Sequence, residues 1–379
     1  MIWYWLFAGP ALLLAALSLR GERKRADYVA RRLEDESSYR PAASVIVPVK
    51  GEDDGLRENL AALASLDYPD YELIIAAHQA GDIPASVLPR RAKIVLAHGG
   101  DPASSEKVQN LQAAVRAVRK QSEVFAFADS DGRVTKRWLS ALVAPLAEAG
   151  VGASTGYRWY APEPPALWTL MRSVWDAVSF GLLGPGDNRF AWGGATAIRK
   201  ETFFEARIPA YWSETISDDY ALSRAIHDAG LTIAFAPGAL TPSREHASGS
   251  QILSWMRRQM MITRFYNPRL WWMALIAHVF YCGGMAASIA ASIEGNRLAE
   301  WALIAQLSPG MLKGLNRATL AKAALPELEA WFKRHHWVHA IWVPFTTWLW
   351  LGVLLASAFG RTIEWRGRSY KLKGYKLKG

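Results

Sequence analysis

Apolar positions along this chain fall into three regimes. Ile2–Leu19 is an apolar stretch without a charge, long enough to span a bilayer. Arg20, Arg23, Lys24 and Arg25 follow it. A cleavable leader carries its basic residues ahead of the apolar core. Here they come after it, which predicts a signal anchor (1–20) with the rest of the chain in the cytoplasm.

From Ser44 to about Gly150 the pattern becomes that of a soluble α/β domain. Short apolar runs recur at Ser44–Val49, Glu72–Ala77, Lys93–Ala97 and Val124–Ala128. Helical spacing occupies Leu56–Leu66, Lys107–Lys120 and Thr135–Ala149. Buried strands alternating with helices predict a largely parallel sheet covered on both faces. Ligands of such sheets sit beyond the carboxyl ends of the strands, where Asp129 falls. The less regular stretch 151–242 completes a domain spanning 40–245. Within it Ala166–Leu183 is apolar but carries Arg172 and Asp176, which suits an interfacial or groove-lining helix better than a span. Ser217-Asp218-Asp219 reads as a helix start, with Gly230 as its stop.

The third regime is membrane-like. Residues 250–268 predict an amphipathic helix at a membrane surface, and 269–294 and 337–360 predict spans. Residues 298–325 fit either an amphipathic helix or a short extra span. Three spans return the basic tail 361–379, with Arg361, Arg366, Arg368 and Lys371, to the cytoplasm. The tail ends in a duplicated Tyr-Lys-Leu-Lys-Gly.

Composition strengthens this picture. The 379 residues are 51% hydrophobic and include 18 Trp, a residue that favours the membrane–water interface. The net charge of +10 suits several polyanions and does not decide among them. A single cysteine, Cys282, excludes an intramolecular disulfide and supports neither redox chemistry nor a Cys-rich zinc site.

Three motifs could carry chemistry. Asp129-Ser130-Asp131 follows a strand and can face a hard cation such as Mg2+ or Mn2+, which bridges carboxylates and diphosphates; it is equally an acidic turn capping a helix. Asp218-Asp219 could supply a general base or cap a helix. Arg257-Arg258-Gln259 could stabilise a departing diphosphate or hold anionic headgroups. His335, His336 and His339 have metal-compatible spacing but adjoin Trp337 at the start of a predicted span, which favours an interfacial role. His246 could reach an acceptor or a diphosphate.

With these motifs in order, the chain resembles the inverting family-2-like glycosyltransferases of the GT-A type, closest to ceramide glucosyltransferase and its bacterial, including hopanoid-glycosylating, relatives. The resemblance rests on Val47-Pro48-Val49-Lys50-Gly51, Leu66-Asp67-Tyr68-Pro69 with Tyr71-Glu72, and Lys107-Val108-Gln109-Asn110-Leu111. It continues through Asp129-Ser130-Asp131, Gly193, Arg199-Lys200, Asp218-Asp219-Tyr220 and Trp365-Arg366-Gly367-Arg368, covering about residues 1–370. It implies a GT-A nucleotide-diphospho-sugar transferase fold carrying N- and C-terminal transmembrane helices.

It also implies site roles. Pro48, Lys50 and Glu52 would lie near base and ribose, Lys107 and Asn110 would line the donor site, and Asp129 would contact the nucleotide sugar. Asp131 would be the metal ligand, Asp219 the base, and Arg258 the arginine of a Gln/Arg-x-x-Arg-Trp motif. That motif reads Trp255-Met256-Arg257-Arg258-Gln259 here, without the expected flanking residues in register. Gln79, with Asp82 three residues on, stands where the family has an aspartate.

The implied activity is transfer of a sugar, glucose foremost, from a UDP-sugar to a hydroxyl of a membrane lipid such as ceramide, with Mg2+ or Mn2+. UDP-N-acetylglucosamine-dependent glycosylation of a hopanoid or other lipid is the alternative. A processive polysaccharide synthase and a non-catalytic membrane-surface binder are rivals from other classes. The expected partners are the lipid bilayer, a lipid acceptor and a nucleotide sugar, not nucleic acid. The expected location is a bacterial inner membrane with the catalytic domain facing the cytoplasm.

Overall fold

Short runs rich in β-branched and aromatic residues become the strands: β1 (Ala43–Pro48), β2 (Tyr71–Ala77), β3 (Ala92–Leu96), β4 (Val124–Ala128), β5 (Val151–Thr155), β6 (Arg158–Tyr160), β7 (Ala195–Arg199), β8 (Thr232–Phe235) and β9 (Thr241–Ser243). The computed structural model describes residues 2–35, 37–51, 54–98, 100, 103–186 and 189–374. It divides into an α/β unit, 27–163 with 182–246, and a helical unit, 1–26 with 164–181 and 247–379.

In the α/β unit seven strands form one sheet in the order β3-β2-β1-β4-β7-β5-β8. β1 pairs in parallel with β2 and β4, and β2 with β3, whereas β7 runs antiparallel to β4 and β5. The chain winds outward from β1 to β3 and then returns to the other side of β1 as β4. Open α/β sheets bind ligands at such a reversal, beyond the carboxyl ends of the strands, which here are β1 and β4.

Alternation along the strands explains the two-sided core. Val45, Val47, Leu73, Ile75 and Ala126 pack with Leu56, Leu60, Leu63, Trp138 and Leu142 in one buried cluster. On the other side Phe125 meets Phe203, with centroids 5.2 Å apart, and Phe127 meets Trp212 at 5.5 Å. Such edge-to-face pairs add to the hydrophobic gain of burial. The pattern over 135–149 predicts one helix, but it forms only Trp138–Val143 and then a tighter turn, Ala144–Ala147. Pro145 is the reason: it lacks the N–H that would continue the helix.

The helical unit contains the helices Ile2–Ser18, Leu167–Phe180, Gly249–Tyr266, Pro268–Ile293, Arg297–Ala324, Val338–Ile341 and Val343–Ser357. Its hairpin pairs β10 (Thr362–Trp365) with β11 (Arg368–Lys371). Arg366 and Gly367 both have positive φ, 51° and 74°, as a two-residue type I′ turn requires. The second copy of the terminal duplication, 375–379, lies outside the described residues.

Two helical stretches, Tyr4–Glu34 and Pro268–Ile293, are long and apolar enough to cross a membrane. Trp5, Leu6, Leu13, Trp272, Met273 and Ile276 are exposed on them. The expected span over 337–360 is not one uninterrupted helix. Its helix breaks at Trp342, because Pro344 cannot donate a backbone hydrogen bond to the preceding turn. The helix that follows, Val343–Ser357, has 15 residues and is about 22 Å long. Leu167–Phe180 buries Trp175, Arg172 and Asp176 and exposes Leu167 and Trp168 at its start.

One close approach is testable. A Cβ on Gly314 would overlap the backbone carbonyl oxygen of His339, so only glycine lets the helix Arg297–Ala324 pack there. Gly314→Ala is expected to cost about 1–3 kcal/mol, the usual range for overpacking. It should show as a lower melting temperature of the detergent-solubilised protein.

Candidate active site

The acidic turn 129–132 leaves the end of β4 beside β1, and its surroundings hold it closely. Asn59 Nδ2 donates to the Ser130 carbonyl at 3.0 Å, and Arg133 N donates to the Pro242 carbonyl at 3.0 Å. β6 and β9 form a separate parallel pair in which Arg158 faces Thr241. A Cβ on Gly132 would collide with Thr241, so this ribbon lies directly against the turn.

From β6 Arg158 reaches both aspartates. Its Nη1 donates to Asp131 Oδ2 at 2.8 Å, and its Nη2 donates to Asp131 Oδ1 and to Asp129 Oδ2, the latter at 3.1 Å. Tyr160 and Trp192 offer their rings at 5.5 and 5.1 Å. Burial opposes the charge, but Asp131, Tyr160 and Asp129 outweigh it and hold the guanidinium pKa well above its ordinary value. Arg158 is not among the residues that the sequence motifs point to. The signal available was a lone cation within Tyr157-Arg158-Trp159-Tyr160, where an unpaired charge would be costly.

Lys107 occupies the first turn of the helix Glu106–Arg116, whose start is capped by Ser105 accepting from Val108 N at 3.3 Å. Its Nζ lies 2.9 Å from Asp129 and 3.2 Å from Asp218. Burial lowers its pKa and the carboxylates of Asp129, Asp218 and Asp219 raise it, the net direction being upward. Asp218 opens the helix Asp218–Asp228. The two helix starts are joined by Ser105 N donating to the Thr215 carbonyl at 2.9 Å. Burial pushes the Asp218 carboxyl up to about 6, against the pull of Lys107 and with help from Asp219 and Asp129.

Asp219 differs from its neighbour. It is half-exposed, and its Oδ1 accepts from the Ser217 hydroxyl and from Tyr220 N, the latter at 2.7 Å. The helix start therefore points one carboxylate at Lys107 and leaves the next one accessible.

The other expected residues lie as follows. Pro48 ends β1. Lys50 is ion-paired with the buried Glu106. Asn110 is 2% exposed, and its Oδ1 has no hydrogen-bond partner among the described residues. Glu52 lies outside the described residues. Asp82 accepts from Gln79 N at 3.2 Å, and its carbonyl holds Gly51 N at 2.8 Å, so it braces the loop next to Lys50.

Arg258 belongs to the helical unit, where its guanidinium lies 5.8 Å from the Trp365 ring centre. His335, His336 and His339 do not converge: they contact Trp331, Thr319 and Ser173 respectively. Among the described residues no group of three or more His, Cys, Asp or Glu side chains is placed to hold a metal ion. A cation at Asp129 and Asp131 would therefore need further oxygens from whatever binds there, which is how Mg2+ usually bridges carboxylate and phosphate.

Two glycines permit this crowding. A Cβ on Gly193 would collide with the Asp218 carboxylate and come within 2.9 Å of Lys107 Nζ; one on Gly194 would meet Asp129 Oδ2 at 2.6 Å. Gly193→Ala is thus expected to displace Lys107 and Asp218. It should weaken nucleotide binding by about tenfold, equivalent to about 1.4 kcal/mol, and leave far-UV circular dichroism unchanged. Calorimetric titration with UDP checks this.

Comparison with known proteins gives the family and the fold. A family model described as glycosyl transferase family 21 matches residues 3–377. The mannosyltransferase PcManGT from Pyrobaculum calidifontis, in complex with GDP-Man and Mn2+, is 18% identical with a TM-score of 0.54, covering 93% of this chain and 97% of that one. It shares the fold, and the α/β unit is of the GT-A type. GalNAc-T7 with UDP, GalNAc and Mn2+ is 14% identical with a TM-score of 0.41, covering 56% of this chain and 45% of that one. Glucosyl-3-phosphoglycerate synthase from Mycobacterium tuberculosis is 15% identical with a TM-score of 0.37, covering 60% and 81%.

Proposed function

Because this chain belongs to glycosyl transferase family 21, we propose that it transfers a sugar, glucose foremost, from a UDP-sugar to a hydroxyl of a membrane lipid such as ceramide, with inversion. The carrying observation is the convergence of two acidic helix-and-turn starts on one lysine, with Asp129 and Asp218 at 2.9 and 3.2 Å from Lys107, beyond the strand ends that bind ligands in such sheets. The exposed apolar residues of Tyr4–Glu34 and Pro268–Ile293 suit a lipid environment, because both stretches are long enough to span a bilayer, and this favours a membrane-borne acceptor.

Asp129 and Asp131 fit a divalent cation, because their carboxylates already converge on one positive group, the Arg158 guanidinium. A bound Mg2+ or Mn2+ would offset the negative charge that grows on the leaving diphosphate. Lys107 adds a fixed positive charge at the same place. Asp219 is the accessible carboxylate and takes the proton of the acceptor hydroxyl. The hydroxyl oxygen forms the new bond to the anomeric carbon from the side opposite the diphosphate, whose bond to that carbon breaks. Asp218, buried and paired with Lys107, positions that lysine.

The test is to incubate membranes containing the protein with radiolabelled UDP-glucose, UDP-N-acetylglucosamine and GDP-mannose, then extract the organic phase. GDP-mannose belongs in the set because PcManGT is in complex with GDP-Man. Label in lipid is the expected result. Label in polymer would indicate a synthase, and no incorporation a binding protein; either sinks the proposal.

A further inference from the structure

All four oxygens of the aspartate pair are engaged by two side-chain cations. Asp129 Oδ1 meets Lys107 at 2.9 Å, Asp129 Oδ2 meets Arg158 at 3.1 Å, and Arg158 forks onto both oxygens of Asp131. A divalent cation needs those same hard oxygens, so it competes with the resident side chains for them. The two cations are not equally replaceable. Lys107 keeps Asp218 at 3.2 Å when it gives up Asp129. The other partners of Arg158 are neutral, the Tyr160 hydroxyl at 3.2 Å and the Tyr160 and Trp192 rings.

We propose that Arg158 is a resident counter-cation that yields the carboxylate oxygens of Asp129 and Asp131 to the divalent cation and takes the donor's diphosphate in exchange. This rests on the nucleotide-sugar reading given above. Arg158 is 8% exposed, and a buried guanidinium left without an anion is strongly disfavoured. A divalent cation arriving alone would strand it beside a like charge. A diphosphate arriving with the cation supplies oxygens to both, and the flat guanidinium fork suits phosphate oxygens as well as carboxylates. Metal and nucleotide should therefore bind with positive coupling, which by linkage is the same factor in either order. Arg158 is on this account a positioning group for the metal and a direct contact of the donor.

The experiment uses the full chain in detergent, with MnCl2 and UDP as probes in calorimetric titrations, and no turnover. In the wild type UDP should tighten Mn2+ binding by about tenfold or more. Arg158→Met should bind Mn2+ alone about tenfold more tightly than wild type, with the coupling to UDP falling toward unity. Arg158→Lys keeps the charge but cannot fork across two carboxylates, so it should fall between them. An Arg158→Met protein with a native melting profile and no gain in Mn2+ affinity would overturn the proposal. If that variant does not fold, Arg158→Lys decides in the same direction: no gain overturns it. A wild type that binds neither UDP nor Mn2+ removes the transferase reading itself and this proposal with it. A wild type that binds both, beside an unresponsive Arg158 series, removes this proposal alone.

Discussion

Asp219→Asn is expected to lower the rate of sugar transfer by about 10²–10⁴-fold, the range a positioned general base contributes, while nucleotide-sugar binding stays near the wild-type value. Asparagine is nearly isosteric and keeps an oxygen for the Tyr220 N–H, now accepted by Asp219 at 2.7 Å. The N-cap of this helix is Ser217, which the variant keeps, so the helix should form unchanged. What is lost is the capacity to take a proton. Asp218→Asn is the control. It removes one of the two carboxylates nearest Lys107 and should weaken donor binding more than it slows transfer of bound donor. Rates of label transfer to lipid, set beside UDP titrations of the same preparations, separate the two. Full transfer by the Asp219 variant would sink the base assignment. A dead Asp218 variant with intact donor binding would move the role to Asp218, whose carboxyl burial already pushes up to about 6.

Strand runs and the acidic turn after β4 are written locally, in apolar alternation and turn chemistry, and they are where the pattern places them. Neighbouring aspartates at a helix start are also local. Which of them faces Lys107 is not, because it depends on a lysine more than a hundred positions earlier and on the Ser105–Thr215 bond that joins the two helix starts. Arg158 was harder still. Its aromatic neighbours advertise a buried strand, and only the pairing of β6 with β9 brings its side chain onto Asp129 and Asp131. The broken helix near Trp342 was legible in principle, since Pro344 marks it, but the apolar run around it dominates a hydropathy reading. The motif resemblance points to Arg258 but not to the Trp365 ring beside it, because that contact links a helix to a hairpin about a hundred residues later.

Asp131→Ala is expected to weaken Mn2+-dependent UDP binding by at least about 100-fold, more than the 10–100-fold typical of disturbing residues that only support a metal ligand. Two effects add. The variant removes a carboxylate that can hold the metal. It also leaves Arg158, which now forks onto both Asp131 oxygens, with Asp129 as its remaining carboxylate, so the guanidinium competes harder for the oxygen that is left. Titration of UDP at increasing MnCl2 measures the loss, and an unchanged metal requirement would count against Asp131. The double variant Asp131→Ala with Arg158→Met divides the two effects. If most of the loss is competition, removing the guanidinium restores much of the Mn2+ affinity. If most of it is a missing ligand, the double variant stays as weak as Asp131→Ala alone. Since Arg158 touches both aspartates, their energies are not additive, and only the cycle of single and double variants assigns the carboxylate pair its share of metal binding.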